Sequence, residues 1–363
     1  MMKRFLCLLL FVFIMLSMSM AGLAATQEDF LAYFEENVLP SLQAWTKEIS
    51  EKSILIIGEH HGVADNYSLY LDNLRCFPEE HIQLVLEMSP SFAFLCGEYL
   101  QTGNETLLKS AISHLAGTFG YSKEHLAFWK EVRQLAQQGK RIDVIGVDQE
   151  FQLKNAALAL LTIDQERFTP VLQRINTAGA QGTDALVKEL AAIVREHEDL
   201  PADSEKDQAV QDIMLSLGQL LENPLGDKER DVPLYQTFAR KVKLGVRTLG
   251  IFGGQHILKT AQAPTLMSQL MQDDPFREQV AVAQLFYVDA SYMDTRSGQA
   301  LPLQGLTKDS VIVQHAQRQK ENVAIYRLPA SPLFEGPDVR GLSLPDLYDY
   351  AFVISGAQAT TAE

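Results

Sequence analysis

Seven short apolar runs constrain this chain more than any other feature. They are ILIIG (Ile54 to Gly58), IQLVLE (Ile82 to Glu87), IDVIGVD (Ile142 to Asp148), TLGIFGG (Thr248 to Gly254), VAVAQLFYV (Val280 to Val288), VAIYRL (Val323 to Leu328) and YAFVIS (Tyr350 to Ser355). A strand with one face in water alternates apolar and polar residues. These runs do not alternate, so they read as strands covered on both faces, which is the situation in a parallel sheet. Helical patterns separate them. The expected fold is therefore α/β, a mostly parallel central sheet flanked by helices.

Between Phe151 and Val246 no strand candidate occurs, while ALVKELAAIVREHEDL and DQAVQDIMLSLGQLLEN carry helical periodicity and Thr-Pro, Leu-Pro-Ala-Asp-Ser and Asn-Pro-Leu-Gly interrupt it. Residues 151–246 are thus expected as a helical insertion, a cap over the sheet edge or a set of packing helices. The rest of 26–363 is expected as a single α/β domain with its core in 50–150 and 247–358, and Pro329 to Leu344 as an ordered loop.

Residues 1–25 have the order of a secretory signal peptide: Lys3-Arg4, then FLCLLLFVFIML, then small residues. The apolar run is short for a permanent anchor. This predicts a periplasmic or secreted protein with no stable membrane span after cleavage. Export would leave Cys76 and Cys96, either paired in an oxidising compartment or present as buried thiols. The formal charge of −15, or −17 without Lys3 and Arg4, disfavours nucleic acid and anionic lipid as partners. A small molecule is the expected partner.

The reactive side chains follow the strands. Glu59 and His61 come after the first run, Glu87 ends the second, Asp148 ends the third and His256 follows the fourth. Ligands bind beyond the carboxyl ends of the strands in open parallel sheets, so these residues are expected to converge on one rim. A histidine oriented by a carboxylate takes a proton from water near neutral pH, and a second histidine donates one to a leaving group. Glu59, His61, Glu87 and His256 are also a candidate ligand set for a divalent metal. Both routes lead to hydrolysis. No G-x-S-x-G elbow, H-E-x-x-H, P-loop or G-x-G-x-x-G is present. In FGGQH the glycines are expected to let the backbone turn so that His256 faces the crevice.

Other readings stand beside these. His60 either contacts substrate or points away into the helix layer, and Asp148 either contacts substrate or caps the next helix. Glu87 is harder to explain away, because a carboxylate closing an apolar strand is costly to bury unless paired. His81, His114, His125, His197 and His315 have no motif around them and are expected at surface or helix positions.

The stretches GEHHG, LVLEMSPSFAF, IDVIGVDQE, ERDVPLYQTFARKV and IFGGQHILK, in that order, resemble the superfamily that unites erythromycin esterase-like hydrolases with ChaN-like haem-binding lipoproteins and the Tiki/TraB proteins. The resemblance runs from Ser53 to Thr260 and, more weakly, through YDYAFVIS. Its esterase-like branch implies a water-activating histidine at His61, supported by Glu59, Glu87 and His256. It also implies that Arg230 touches the substrate or orients a carboxylate. One residue, His60, separates Glu59 from His61, where esterase-like members usually have two. That short form is similar to the ChaN branch, although GVADNYSLY lacks the further histidine usual there.

Two functions follow as expectations. The first is an exported hydrolase of ester or amide bonds with His61 as general base, Glu59 and Glu87 as its orienting or metal-binding partners, and His256 as acid or second ligand. The second is a haem- or iron-binding protein using His61, His256 and Tyr67.

Overall fold

The computed structural model describes residues 25–197, 203–222, 230–260, 264–319, 322–334 and 344–363. Most of the expected leader and most of the Pro329 to Leu344 loop lie outside these residues.

The central sheet has eight strands in the order β1-β9-β10-β6-β2-β5-β3-β4. All seven apolar runs lie in it, as β2 (Ile54–Glu59), β3 (His81–Leu86), β4 (Arg141–Gly146), β5 (Arg247–Gly253), β6 (Val280–Val288), β9 (Val323–Arg327) and β10 (Tyr350–Ser355). From β10 to β4 every neighbouring pair is parallel. Only β9 runs against the others, pairing antiparallel with β10 and with the two-residue edge strand β1 (Val38–Leu39). A hairpin of β7 (Ser291–Asp294) and β8 (Gln299–Pro302) stands apart from the sheet. Neither β1 nor this hairpin was expected: β1 is too short to form a run, and β8 is mostly exposed with no apolar signature.

The absence of alternation has a direct cause. Along β2, Ile54 and Ile56 enter one core cluster while Leu55 and Ile57 enter another, and all four are fully buried. On β10, Ala351 and Val353 join the first of these cores and Phe352 and Ile354 the second. Each such aliphatic side chain contributes roughly 1.5–3 kcal/mol on burial, so the two faces pin the register independently.

Helices cover both faces. One that bears on the site is Pro90–Thr102, whose Ser89 side chain accepts from Phe92 N at the start and whose Gly103 ends it at φ 73°. The described residues between Phe151 and Val246 form helices Leu153–Ile163, Gln165–Gln181, Thr183–His197, Glu205–Glu222 and Asp231–Lys241 and include no strand. Two of these, Leu153–Ile163 and Glu205–Glu222, pack on Pro90–Thr102. Cys76 and Cys96 are both free thiols, so the paired alternative is corrected.

Strand β2 is central, with β5, β3 and β4 to one side and β6, β10 and β9 to the other. Progress of the chain reverses there, which places a crevice beyond the carboxyl end of β2.

Candidate active site

The registers bring the strand ends level. Glu59 at the end of β2 faces Gly253 of β5, and Leu86 of β3, one residue before Glu87, faces Ile251 of β5 and Gly146 of β4. Glu59, His61, Glu87, Asp148 and His256 meet on one rim, and Arg230, from the start of helix Asp231–Lys241, joins them there.

His61 is anchored through Nδ1, which lies 2.7 Å from Glu59 Oε1. The other Glu59 oxygen accepts from Asn66 Nδ2 at 2.7 Å and from the Tyr70 hydroxyl. Asn66 and Tyr70 are four residues apart on helix Asp65–Cys76, hence on one face of it. Asn66 is itself held by the Tyr287 hydroxyl at 2.7 Å. These groups fix the carboxylate that fixes the histidine. His61 Nε2 opens towards Glu87 Oε2, 3.8 Å away.

Glu87 is the hub. Its Oε2 accepts from Gly253 N at 2.6 Å, and its Oε1 lies 2.9 Å from Arg230 Nη2 and 3.2 Å from His256 Nε2. The pairing that its burial demands is thus met, with four polar partners around one carboxylate. His256 Nδ1 in turn lies 2.9 Å from Asp231 Oδ1, which also accepts from Leu266 N at 2.7 Å. Arg230 makes a forked contact with Asp148, Nε to Oδ1 at 3.0 Å and Nη2 to Oδ2.

These contacts shift the titrations. Burial disfavours protonated His61, but the hydrogen bond to Glu59 and the charges of Glu87 and Glu59 outweigh it and push His61 up to about 9. His256 behaves alike: burial opposes its charge, and Asp231 and Glu87 push it up to about 10. For Glu87, burial favours the neutral acid, yet hydrogen bonding to His256 and the charges of His61, His256 and Arg230 hold it well below the usual carboxylate range. Asp148 moves the other way, raised by burial despite Arg230.

The remaining expectations sort as follows. Asp148 is buried and bonded to Arg230 and to Gln149 N; it caps no helix, and its role is to hold the guanidinium. His60 does not enter the helix layer: it is exposed at the cavity mouth, with Nδ1 2.9 Å from His61 O and its ring edge on Tyr292. Gly253 and Gly254 do not have positive φ angles. Gly253 is required by proximity instead, since a Cβ there would stand 2.9 Å from His61 Nε2. The glycine that does turn the chain is Gly62, at φ 80° directly after His61.

The proposed metal set is not arranged as one. Glu59 is spent on Asn66, Tyr70 and His61, and Glu87 on Arg230, His256 and Gly253, so the donors face each other and their own partners. Among the described residues no group of three or more His, Cys, Asp or Glu is placed to hold a metal ion. The iron ligands fare similarly: both His256 nitrogens are engaged, and Tyr67 stacks on His125 within the helix packing. His125, buried and pushed down to about 4 by that burial, is a neutral core residue whose Nε2 accepts from Trp129.

Sequence reasoning did not find Asn66, Tyr70 and Tyr287 as supports of Glu59, nor Asp231 as the partner of His256. The i, i+4 spacing of two polar residues on an otherwise apolar helix face was the available signal for Asn66 and Tyr70.

Three cavities meet at this cluster, the smallest of about 90 Å³ lying between Glu59, His61, Glu87, Tyr67 and Tyr70, and the other two reaching Arg230. The larger of these two, about 850 Å³, is lined by His61, Glu87, Arg230 and His256 together with Gln255, Gln284 and Gln304. The smaller, about 340 Å³, is lined by the same His61, Glu87 and Arg230 and by Asp148, Phe119 and Phe151.

The open, mostly parallel sheet flanked by helices is an α/β architecture with solved examples. The chain has the fold of an erythromycin esterase, solved in its open conformation, with a TM-score of 0.59, 13% identity and 87% of this chain covering 93% of that one. It is similar as well to a protein from Bacillus cereus, at a TM-score of 0.65 and 16% identity over 93% of this chain and 100% of that one. A succinoglycan biosynthesis protein gives a TM-score of 0.65 and 12% identity over 93% and 99%. At these identities the likeness is one of fold. No family model matches the chain, and no curated protein matches it.

Proposed function

We propose that this protein is an exported hydrolase of ester or amide bonds in which His61 activates water. The observation that carries the reading is the orientation of His61: Nδ1 is fixed on Glu59, while Nε2 opens on a cavity of about 850 Å³ with a 3.8 Å gap to Glu87. The fold shared with an erythromycin esterase supports it.

In this mechanism a water beside Nε2 gives its proton to neutral His61 as its oxygen attacks the carbonyl carbon. Arg230 uses Nε and Nη2 on Asp148 and Glu87, which leaves Nη1 without a partner among the described residues. Arg230 lines both cavities, and in this mechanism its remaining N–H donors serve the developing oxyanion. Collapse breaks the carbon–heteroatom bond, and the proton on His61 passes to the departing alcohol or amine. His256, held by Asp231 and Glu87, stays charged throughout and helps keep Glu87 ionised.

The test is turnover of an ester panel by wild-type protein and His61→Ala. Loss of about 10²- to 10⁴-fold is expected for removal of a general base. Unchanged hydrolysis of every accepted ester by the variant would remove His61 from this role.

A further inference from the structure

The reactive cluster stands where the two cavities that reach Arg230, unequal in size, meet, so a bond cleaved there can have one half of the substrate in each. We infer that the substrate is an ester of an aromatic acid, with its ring in the smaller cavity and a larger polar alcohol, of sugar-like character, in the larger one. The inference rests on the hydrolase reading above and names its substrate class.

Four observations carry it. Phe151 is a large apolar side chain that is 41% exposed, and it lines the smaller cavity. Leaving a phenyl ring in water costs free energy that a bound apolar group would recover. Phe119 lines the same cavity and lies over the His61 ring, centroids 5.5 Å apart and 32° from parallel. With Met88 and Leu115 these rings give the smaller cavity an apolar lining around one end that is charged. At that end the Arg230 guanidinium carbon sits 5.2 Å from the Phe151 ring centroid, so cation and aromatic ring already form one surface. Glu87 and Asp148 already take two sides of the guanidinium, so what fits this arrangement is the uncharged acyl group of the ester, its ring against the phenylalanines and its carbonyl oxygen at Arg230.

The other cavity is more than twice the volume, and the amide side chains of Gln255, Gln284 and Gln304 line it, with Phe286 and Tyr348 nearby. Amides that both donate and accept, beside aromatic faces, suit a group bearing several hydroxyls. Phe119 lines both cavities and separates the two subsites.

The experiment has two arms. In the first, kcat/KM is measured for cinnamoyl-glucose and acetyl-glucose, which share the alcohol, with wild-type protein, Phe151→Ala, Phe119→Ala and the distant surface variant Val187→Ala. The cinnamoyl ester is expected to be preferred at least tenfold, the ratio falling towards one in both phenylalanine variants and holding in Val187→Ala. In the second arm, the uncharged methyl ketones of the same two acyl groups, benzylideneacetone and acetone, are titrated calorimetrically without turnover, and only benzylideneacetone is expected to bind, more weakly to Phe151→Ala. Hydrolysis of both esters without preference, together with no benzylideneacetone binding, would overturn the inference while leaving the hydrolase intact. Benzylideneacetone binding that Phe151→Ala abolishes, with neither ester hydrolysed, would uphold the aromatic subsite and overturn the hydrolase.

Discussion

His61 and His256 are near-mirror images around Glu87. Each hands Nδ1 to a carboxylate of its own, Glu59 or Asp231, and turns Nε2 towards a different oxygen of Glu87. Both are pushed up, to about 9 and about 10. What differs is room. The His61 side chain is 38% exposed with a 3.8 Å gap to Glu87, whereas that of His256 is 13% exposed and closed at 3.2 Å. A reactant fits beside the first and not beside the second. On the proposed mechanism, access more than basicity divides the labour between them, with His61 as the reacting group and His256 maintaining the charge of the hub.

The largest expected effect breaks this symmetry outright. His61→Gln should lose about 10²- to 10⁴-fold in kcat/KM, while His256→Gln should lose less turnover and more stability, read by steady-state kinetics and urea unfolding on the same preparations. Equal losses of turnover would mean that both act on the substrate.

Removing the cation between the two halves comes next. Arg230→Met leaves buried Glu87 and Asp148 without their shared partner, and breaking a buried pair in this way costs about 3–5 kcal/mol. Urea unfolding near neutral pH measures it. A cost under 1 kcal/mol would show that solvent already screens the cluster.

The pH profile sharpens the comparison further. A general base works deprotonated, so kcat/KM should climb through neutral pH and level off near His61's value of about 9. In Glu59→Gln the anion beside Nδ1 is gone, and the limb should move to lower pH by about 1–3 units. A profile unmoved by Glu59→Gln would assign the limb to another group.

The last effect is on how stability depends on pH. A histidine whose folded value is raised stabilises fully below its unfolded value of about 6.5. For His256 that contribution fades as pH climbs from there towards about 10, by at most ~1.4 kcal/mol per pH unit. His256→Gln should flatten the decline in a series of urea midpoints, and an unchanged slope would contradict the assignment.

Much of this was legible because burial leaves a mark on sequence. Ile54 to Ile57 must be apolar to serve two cores at once, so β2 announced itself, and Glu59 and Glu87 stood out as carboxylates closing such runs. What escaped were contacts set by tertiary approach. The partnership of Asp231 with His256 spans 25 residues, and the reason for Gly253 is the imidazole of a residue from another strand. The metal reading shows a related ambiguity: residue types that suit a cation suit each other equally well, and in the described residues these donors are paired with one another.

Arg230 and Asp231 are consecutive in the chain yet pull on different parts of the rim, Arg230 on residues 143 and 82 positions away and Asp231 on His256. Both stand at the start of the last helix before β5. The sheet's own pairings join residues still further apart, Ile54 with Thr248 among them. Scaffold and rim thus depend on the same long-range closure, and one helical turn at Arg230 and Asp231 clamps the two histidine–carboxylate halves together.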